Sequence, residues 1–170
     1  MRSHLEQLSH ELESAVSDMS DEDLLRAPEG KWCVAEVLEH LRLTYTSTAK
    51  MLEKNQAQMV VERAALDERA KTARELILQQ GGFFEGGQAP PFATPKDPPD
   101  VTVRTRILED LKRLDAALSE GEQRRGKEAN QGNHFALGPL TGEEWRQFHL
   151  AHGRHHVKQI EKLRTWAATA

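Results

Sequence analysis

Imidazoles stand near the C-terminal end of the chain where a helical core stripe should be aliphatic. In segment 144–163, Trp145, His149, His152, His156, Ile160 and Leu163 recur at steps of three and four residues, which puts them on one helical face. Trp145, Ile160 and Leu163 mark that face as the buried one, so three histidines fall inside it. Burying imidazoles side by side costs free energy unless each finds a partner. A divalent cation is such a partner: His152 and His156 lie on adjacent turns and can bind one ion together. His155 lies about 100° round the helix from His156 and is expected to face solvent.

Two ligands make a poor site, so a third must come from elsewhere. His40 is the candidate because it sits in mid-helix on the flank of an apolar stripe, about 60° from Val37 and about 40° from Thr44. His149 reads as a non-ligand, since one helix rarely supplies three ligands. His4, His10 and His134 have less claim. Neutral imidazoles facing one point suit zinc or nickel, then iron or copper, ahead of magnesium or calcium. Three of them leave coordination positions open, the plan of a catalytic rather than a closed structural site. Glu36 and Glu39, near His40, are the candidate general bases, with Gln159 and Tyr45 as hydrogen-bonding partners of the site.

Helices must position these residues, and the periodicity is helical almost throughout. Leu5, Leu8, Leu12, Ala15, Val16 and Met19 form the first stripe, which Ser3 and Glu6 open as a capping box. Ser20 and Asp23 echo that spacing and predict a short turn of helix through Leu25. A second helix starts near Trp32-Cys33, and helical propensity continues through Met59, Leu66, Ala70 and Ile77, as one long helix or two over 33–80. Segment 81–100 holds five Pro and four Gly and cannot be regular structure; Phe83, Phe84 and Phe92 predict that it packs on the bundle as a lid or crossover. A third helix is expected over 102–120, a polar loop over 121–140, and a last helix from the capping box of Thr141 and Glu144 to about Trp166. The expectation is an all-α, four-helix bundle forming a single domain over 1–170, with no strand-like alternation of useful length.

Composition narrows the function classes. Charged residues are 29% of the chain, hydrophobic ones 38%, and the formal charge is −4, with no long Lys/Arg block. That balance predicts no attraction to nucleic acid. No apolar run approaches the ~20 residues of a membrane span, and the N-terminus lacks the apolar core of a signal peptide. One cysteine, Cys33, rules out an internal disulfide framework and fits the cytoplasm.

Two blocks give the chain a family likeness. Residues 30–41, Gly-Lys-Trp-Cys-Val-Ala-Glu-Val-Leu-Glu-His-Leu, are similar to the Trp-Ser-x-x-Glu-x-x-x-His-Leu block of the DinB/YfiT-like superfamily of bacterial four-helix-bundle metalloproteins. Residues 148–160 resemble its His-x-x-x-His-x-x-Gln-Ile block, and Gly138-Pro139-Leu140-Thr141 also reads like the family. The resemblance implies an up-down-down-up bundle with a long crossover, commonly a homodimer. It implies a metal held by the last His of the first block and the His pair of the second: His40, His152 and His156, the triad chosen from periodicity. Characterised relatives use such a metal in thiol-dependent transfer or isomerisation, so the implied partner is a small molecule such as a low-molecular-weight thiol.

One departure stands out. The family usually has Ser or Thr where this chain has Cys33, with Glu36 three residues on. A thiol caps poorly, so the second helix should lose a few tenths to ~1 kcal/mol at its start. The thiol reads as a small buried residue in place of Ser, and it lies two turns before His40, too far to join the same ion. Three functions follow: a metal-dependent thiol transferase or small-substrate hydrolase, a binding or stress-response protein whose metal staples two helices, and a metal-free helical interaction module.

Overall fold

The computed structural model describes residues 2–55 and 65–170. The chain is mostly helical, and four long helices carry the core: α1 (His4–Val16), α3 (Val34–Asn55), α5 (Val103–Arg125) and α6 (Gly142–Thr169). Their starts follow the sequence closely. Ser3 Oγ accepts from Glu6 N at 3.1 Å while Ser3 N donates to Glu6 Oε2 at 2.8 Å, and Thr141 and Glu144 repeat that reciprocal pair ahead of α6. Ser20 caps the short α2 (Asp21–Leu25) through Asp23 N.

The apolar stripes meet as expected. α3 lies along α5 and α1 along α6, with α1–α5, α5–α6 and α3–α6 contacts closing the bundle. Leu5, Leu8, Leu38, Leu41, Leu114 and Ile160 are essentially inaccessible to water. Gly153 on α6 lets α1 approach: a Cβ there would stand 2.3 Å from Leu8 Cδ1, and the buried Leu8 side chain would have to shift to admit it.

The region after α3 departs from a single long helix. α3 ends at Asn55, residues 65–67 are not helical, and α4 (Glu68–Arg74) starts afresh behind the cap Asp67, whose side chain accepts from Ala70 N. The helical expectation at Met59 lies outside the described residues. α4 widens at its end into a π-helical turn, Glu75–Gln79, against α6. Segment 81–100 is irregular apart from one 3₁₀ turn, Pro91–Ala93, packed on α3. Of its three Phe, Phe83 packs against the bundle, whereas Phe84 and Phe92 remain about half exposed.

The polar loop expected over 121–140 is a correction. α5 runs on to Arg125, Gly126 stops it with φ +95°, and β1 (Asn130–His134) pairs antiparallel with β2 (Gly138–Thr141). No alternation betrays β1 because its buried positions are Gln131 and Gly132. Gln131 is held by side-chain bonds instead: its Oε1 accepts from Arg125 and its Nε2 donates to the Gly126 and Ala129 carbonyls. Arg74 ties α4 to this hairpin through the Leu137 and Pro139 carbonyls and to α6 through Glu144. No helix among the described residues is long and apolar enough to cross a membrane.

Candidate metal centre

Helix geometry brings three histidines together from two elements. α6 presents His152 and His156 on adjacent turns, and α3 presents His40 across from them. The Nε2 of His152 lies 3.2 Å from that of His40 and 3.1 Å from that of His156. One nitrogen of each falls within 4.8 Å of the other two. All three side chains are nearly buried.

The outer nitrogens decide what the inner ones offer. His40 Nδ1 donates to the Ala93 carbonyl at 2.7 Å, and His156 Nδ1 donates to Gln159 Oε1 at 2.8 Å. Each neutral ring therefore turns a bare Nε2 lone pair towards His152. His152 Nε2 has one proton at most and can satisfy one of them. Lone pairs converging in a buried place repel one another unless a cation sits among them. The spacing also fits: ligands about 2.0–2.1 Å from a common ion stand about 2.9–3.4 Å apart in octahedral or tetrahedral arrangements. The donor set thus could hold a divalent ion.

Burial keeps these rings neutral. It lowers the pKa of His40, holds His152 well below the ordinary value, and brings His156 down to about 4, with the neighbouring imidazoles adding to the shift. Neutral imidazole is the form that binds metal.

Aromatic side chains wall the centre. The Trp32 ring lies 5.4 Å from that of His40, and Phe148 stacks on His152 at 5.7 Å. Phe83, from segment 81–100, packs on His152 at 4.8 Å and on His155 at 5.2 Å. His155, expected in solvent, is therefore partly covered. The Ala93 carbonyl was not foreseeable from residue type, because any residue has one. Gln159 could be found by its i+3 spacing from His156, although it accepts rather than donates.

Other candidates fall elsewhere. Glu39 grips Arg42 in a two-pronged pair, 2.8 Å at each oxygen, and Glu36 accepts the Cys33 N–H at 2.8 Å. Both line a separate cleft of about 380 Å³ with Pro91, Phe92 and Arg106, a cleft without any of the three histidines. Neither is positioned as a base for the triad. Tyr45 lies against His149 rather than in the triad, with ring centroids 5.3 Å apart. His149 is fully buried and does not fall among the three clustered histidines. His4 pairs with Glu143, His10 is exposed, and His134 Nδ1 accepts from Ala136 N and Leu137 N in the hairpin. Burial pushes the Cys33 thiol up, which disfavours its thiolate form and agrees with a small buried residue in place of Ser.

In comparison with known proteins, the profile of the DinB superfamily matches residues 4–160. No curated protein and no solved structure matches the chain.

Proposed function

Given that the chain belongs to the DinB superfamily, we propose that His40, His152 and His156 bind one divalent metal ion, zinc or nickel first, in an enzyme that transfers a small thiol. The observation carrying this reading is the convergence of the three Nε2 atoms, two of them bared by outer hydrogen bonds. A divalent ion held there supplies Lewis acidity and lowers the pKa of a thiol brought to it.

The chain's own residues perform the rest. Ala93 and Gln159 fix the tautomers of His40 and His156. Trp32, Phe83 and Phe148 exclude water from the flanks of the rings, which strengthens charge interactions inside. Transfer is preferred over hydrolysis because Glu36 and Glu39, the acids nearest His40 in sequence, are engaged elsewhere and are not free to take a proton from an attacking water. A thiol, far more acidic than water to begin with, would reach its anion beside a cation by releasing its proton to solvent. The partner is a low-molecular-weight thiol with a small acceptor, and the family likeness adds a homodimer.

Elemental analysis of untagged protein tests the reading, with His152→Leu as control. About one zinc or nickel per chain, lost in the variant, together with thiol conjugation that disappears with the metal, supports it. Absence of metal from both proteins overturns it. A second reading rests on the ligands spanning α3 and α6: the ion staples these helices without turnover. A staple predicts a large drop in melting temperature on chelation, whereas a catalytic ion predicts a small one.

A further inference from the structure

The outer acceptors of His156 and His40 have different origins. Gln159 is three residues from His156 on the same helix, so α6 itself sets that contact. Ala93 is 53 residues from His40, in the irregular segment 81–100, and the aim of its carbonyl depends on one short turn. Ala93 is wholly buried, and its carbonyl accepts from His40 Nδ1 at 2.7 Å. The outer side of that turn is open. Pro91 and Phe92 are exposed, Phe92 by 52%, and both wall the cleft of about 380 Å³. Packing therefore holds the turn from one side, and its own hydrogen bonds must do the rest.

The peptide unit that carries the Ala93 carbonyl ends in the Thr94 N–H. That N–H reaches the Pro91 carbonyl at 3.4 Å, a long bond beside the usual ~2.7–3.2 Å. Pro90 and Pro91 have no N–H to add. The Thr94 side chain supplies the missing hold: Oγ1 donates to the Pro90 carbonyl at 3.0 Å, and the Ala93 N–H reaches that same oxygen at 2.9 Å. Residues 93 and 94 are thus tied to one atom, on either side of the carbonyl that His40 uses. Pro95 favours the extended Thr94 backbone, at φ −91° and ψ 122°, and β-branching leaves the side chain few rotamers. The hydroxyl is therefore fixed at little further cost in entropy.

We propose that Thr94 is a positioning residue for the metal centre: its hydroxyl locks the turn that holds the Ala93 carbonyl on His40. The inference rests on the triad being a metal site. With the Nδ1–H fixed in this way, Nε2 stays the bare nitrogen and the ring keeps its aim towards His152 and His156. Loss of the hydroxyl lets the carbonyl swing, and the ligand contributed by α3 loosens first.

Cobalt titration of the full chain, with a competing chelator and visible spectroscopy, tests it. Thr94→Val keeps the shape and removes the hydroxyl. It is expected to shift the visible bands and weaken cobalt binding about 3–10-fold, less than the ~10–100-fold that follows loss of a direct outer partner. Thr94→Ser restores the donor and should recover most of the loss. Thr105→Val removes a hydroxyl bonded to the Thr102 carbonyl at the start of α5 and should leave binding unchanged. In metal-free protein, NMR should show the His40 Nδ1–H exchanging faster with solvent in Thr94→Val, while that of His156 keeps its wild-type rate. A merely structural role would not separate the two protons.

Folded Thr94→Val with wild-type affinity and spectrum overturns the inference. So does equal acceleration of both imidazole protons. If Thr94→Val fails to fold, a cobalt-loaded crystal structure of the wild type decides: Ala93 O on His40 Nδ1 with Thr94 Oγ1 on Pro90 O upholds it, and either contact broken ends it. Absence of cobalt uptake by the wild type overturns the triad reading itself, and the hold of Thr94 on His40 is then judged by the exchange rates alone.

Discussion

α6 buries two kinds of polar side chain within three turns, and they are treated differently. Arg146 is 7% exposed and fully engaged: Nε donates to Asp115 at 2.8 Å, Nη1 to Glu122 at 2.7 Å, and Nη2 to Ser119 and Glu122 at 3.2 Å. His149 and His152, equally buried, keep ring nitrogens that no described residue satisfies. Each such atom costs about 1–3 kcal/mol if nothing else bonds it. The arginine cluster is a closed account between α5 and α6 and has no valence left for a ligand. The histidine region is open, and open valence in a buried place is what a binding centre requires.

The sharpest test of that distinction is Arg146→Met, which strands Asp115 and Glu122. Removing one partner of a fully buried pair costs ~3–5 kcal/mol. Here the acids keep side-chain exposures of 28% and 15%, so we expect about 2–3 kcal/mol by urea denaturation. Metal content should stay at the wild-type level. A folded Arg146→Met variant that loses its metal would mean that the two regions are one structure.

Acid separates them next. Burial pushes His149 down to about 3 and His134 to about 4, against an ordinary 6.5 in the unfolded chain. Between these values the unfolded chain binds protons that the folded one does not, so stability falls as pH is lowered through that window and the penalty is complete below the folded values. The melting temperature of metal-free protein should therefore drop steadily from neutral pH towards about 4. His149→Leu should flatten the slope, and Arg146→Met should leave it in place, because the guanidinium stays charged throughout. A wild-type profile that is level over the same range would place those imidazoles in contact with solvent.

How much of this was legible in the sequence follows from the same physics. Helices written as apolar stripes with capping boxes were readable, since Ser3 with Glu6 and Thr141 with Glu144 act within four residues. The triad was readable because its members interrupt a stripe or sit on its flank at helical spacing, so residue type and position both spoke. The hairpin was not: Gln131 is buried through hydrogen bonds to Arg125 and two carbonyls, and a polar residue at a buried position looks like loop. The acids near His40 misled for a related reason. Proximity along a helix says nothing of which neighbour claims a carboxylate, and Arg42, three residues on, claims Glu39. Tyr45 and His149 were visible as residues but not as a pair, because their contact joins α3 to α6.

The smallest expected effect marks where scaffold ends and centre begins along α3. Cys33 precedes the helix, and its N–H donates to Glu36 Oε2 at 2.8 Å, which is half of a capping box. The returning half needs a good side-chain acceptor for the Glu36 N–H, and a thiol is a poor one. Ser in its place completes the box that Ser3 and Thr141 form elsewhere, so Cys33→Ser should add a few tenths to ~1 kcal/mol in urea denaturation. The thiol is buried and pushed up in pKa, and seven residues of helix put it about 10 Å from His40 along the axis. Metal content, cobalt spectrum and thiol-transfer rate should therefore be those of the wild type. A tenfold loss of rate with the metal retained would bring Cys33 into the chemistry, and the boundary would then lie two turns further towards the start of α3.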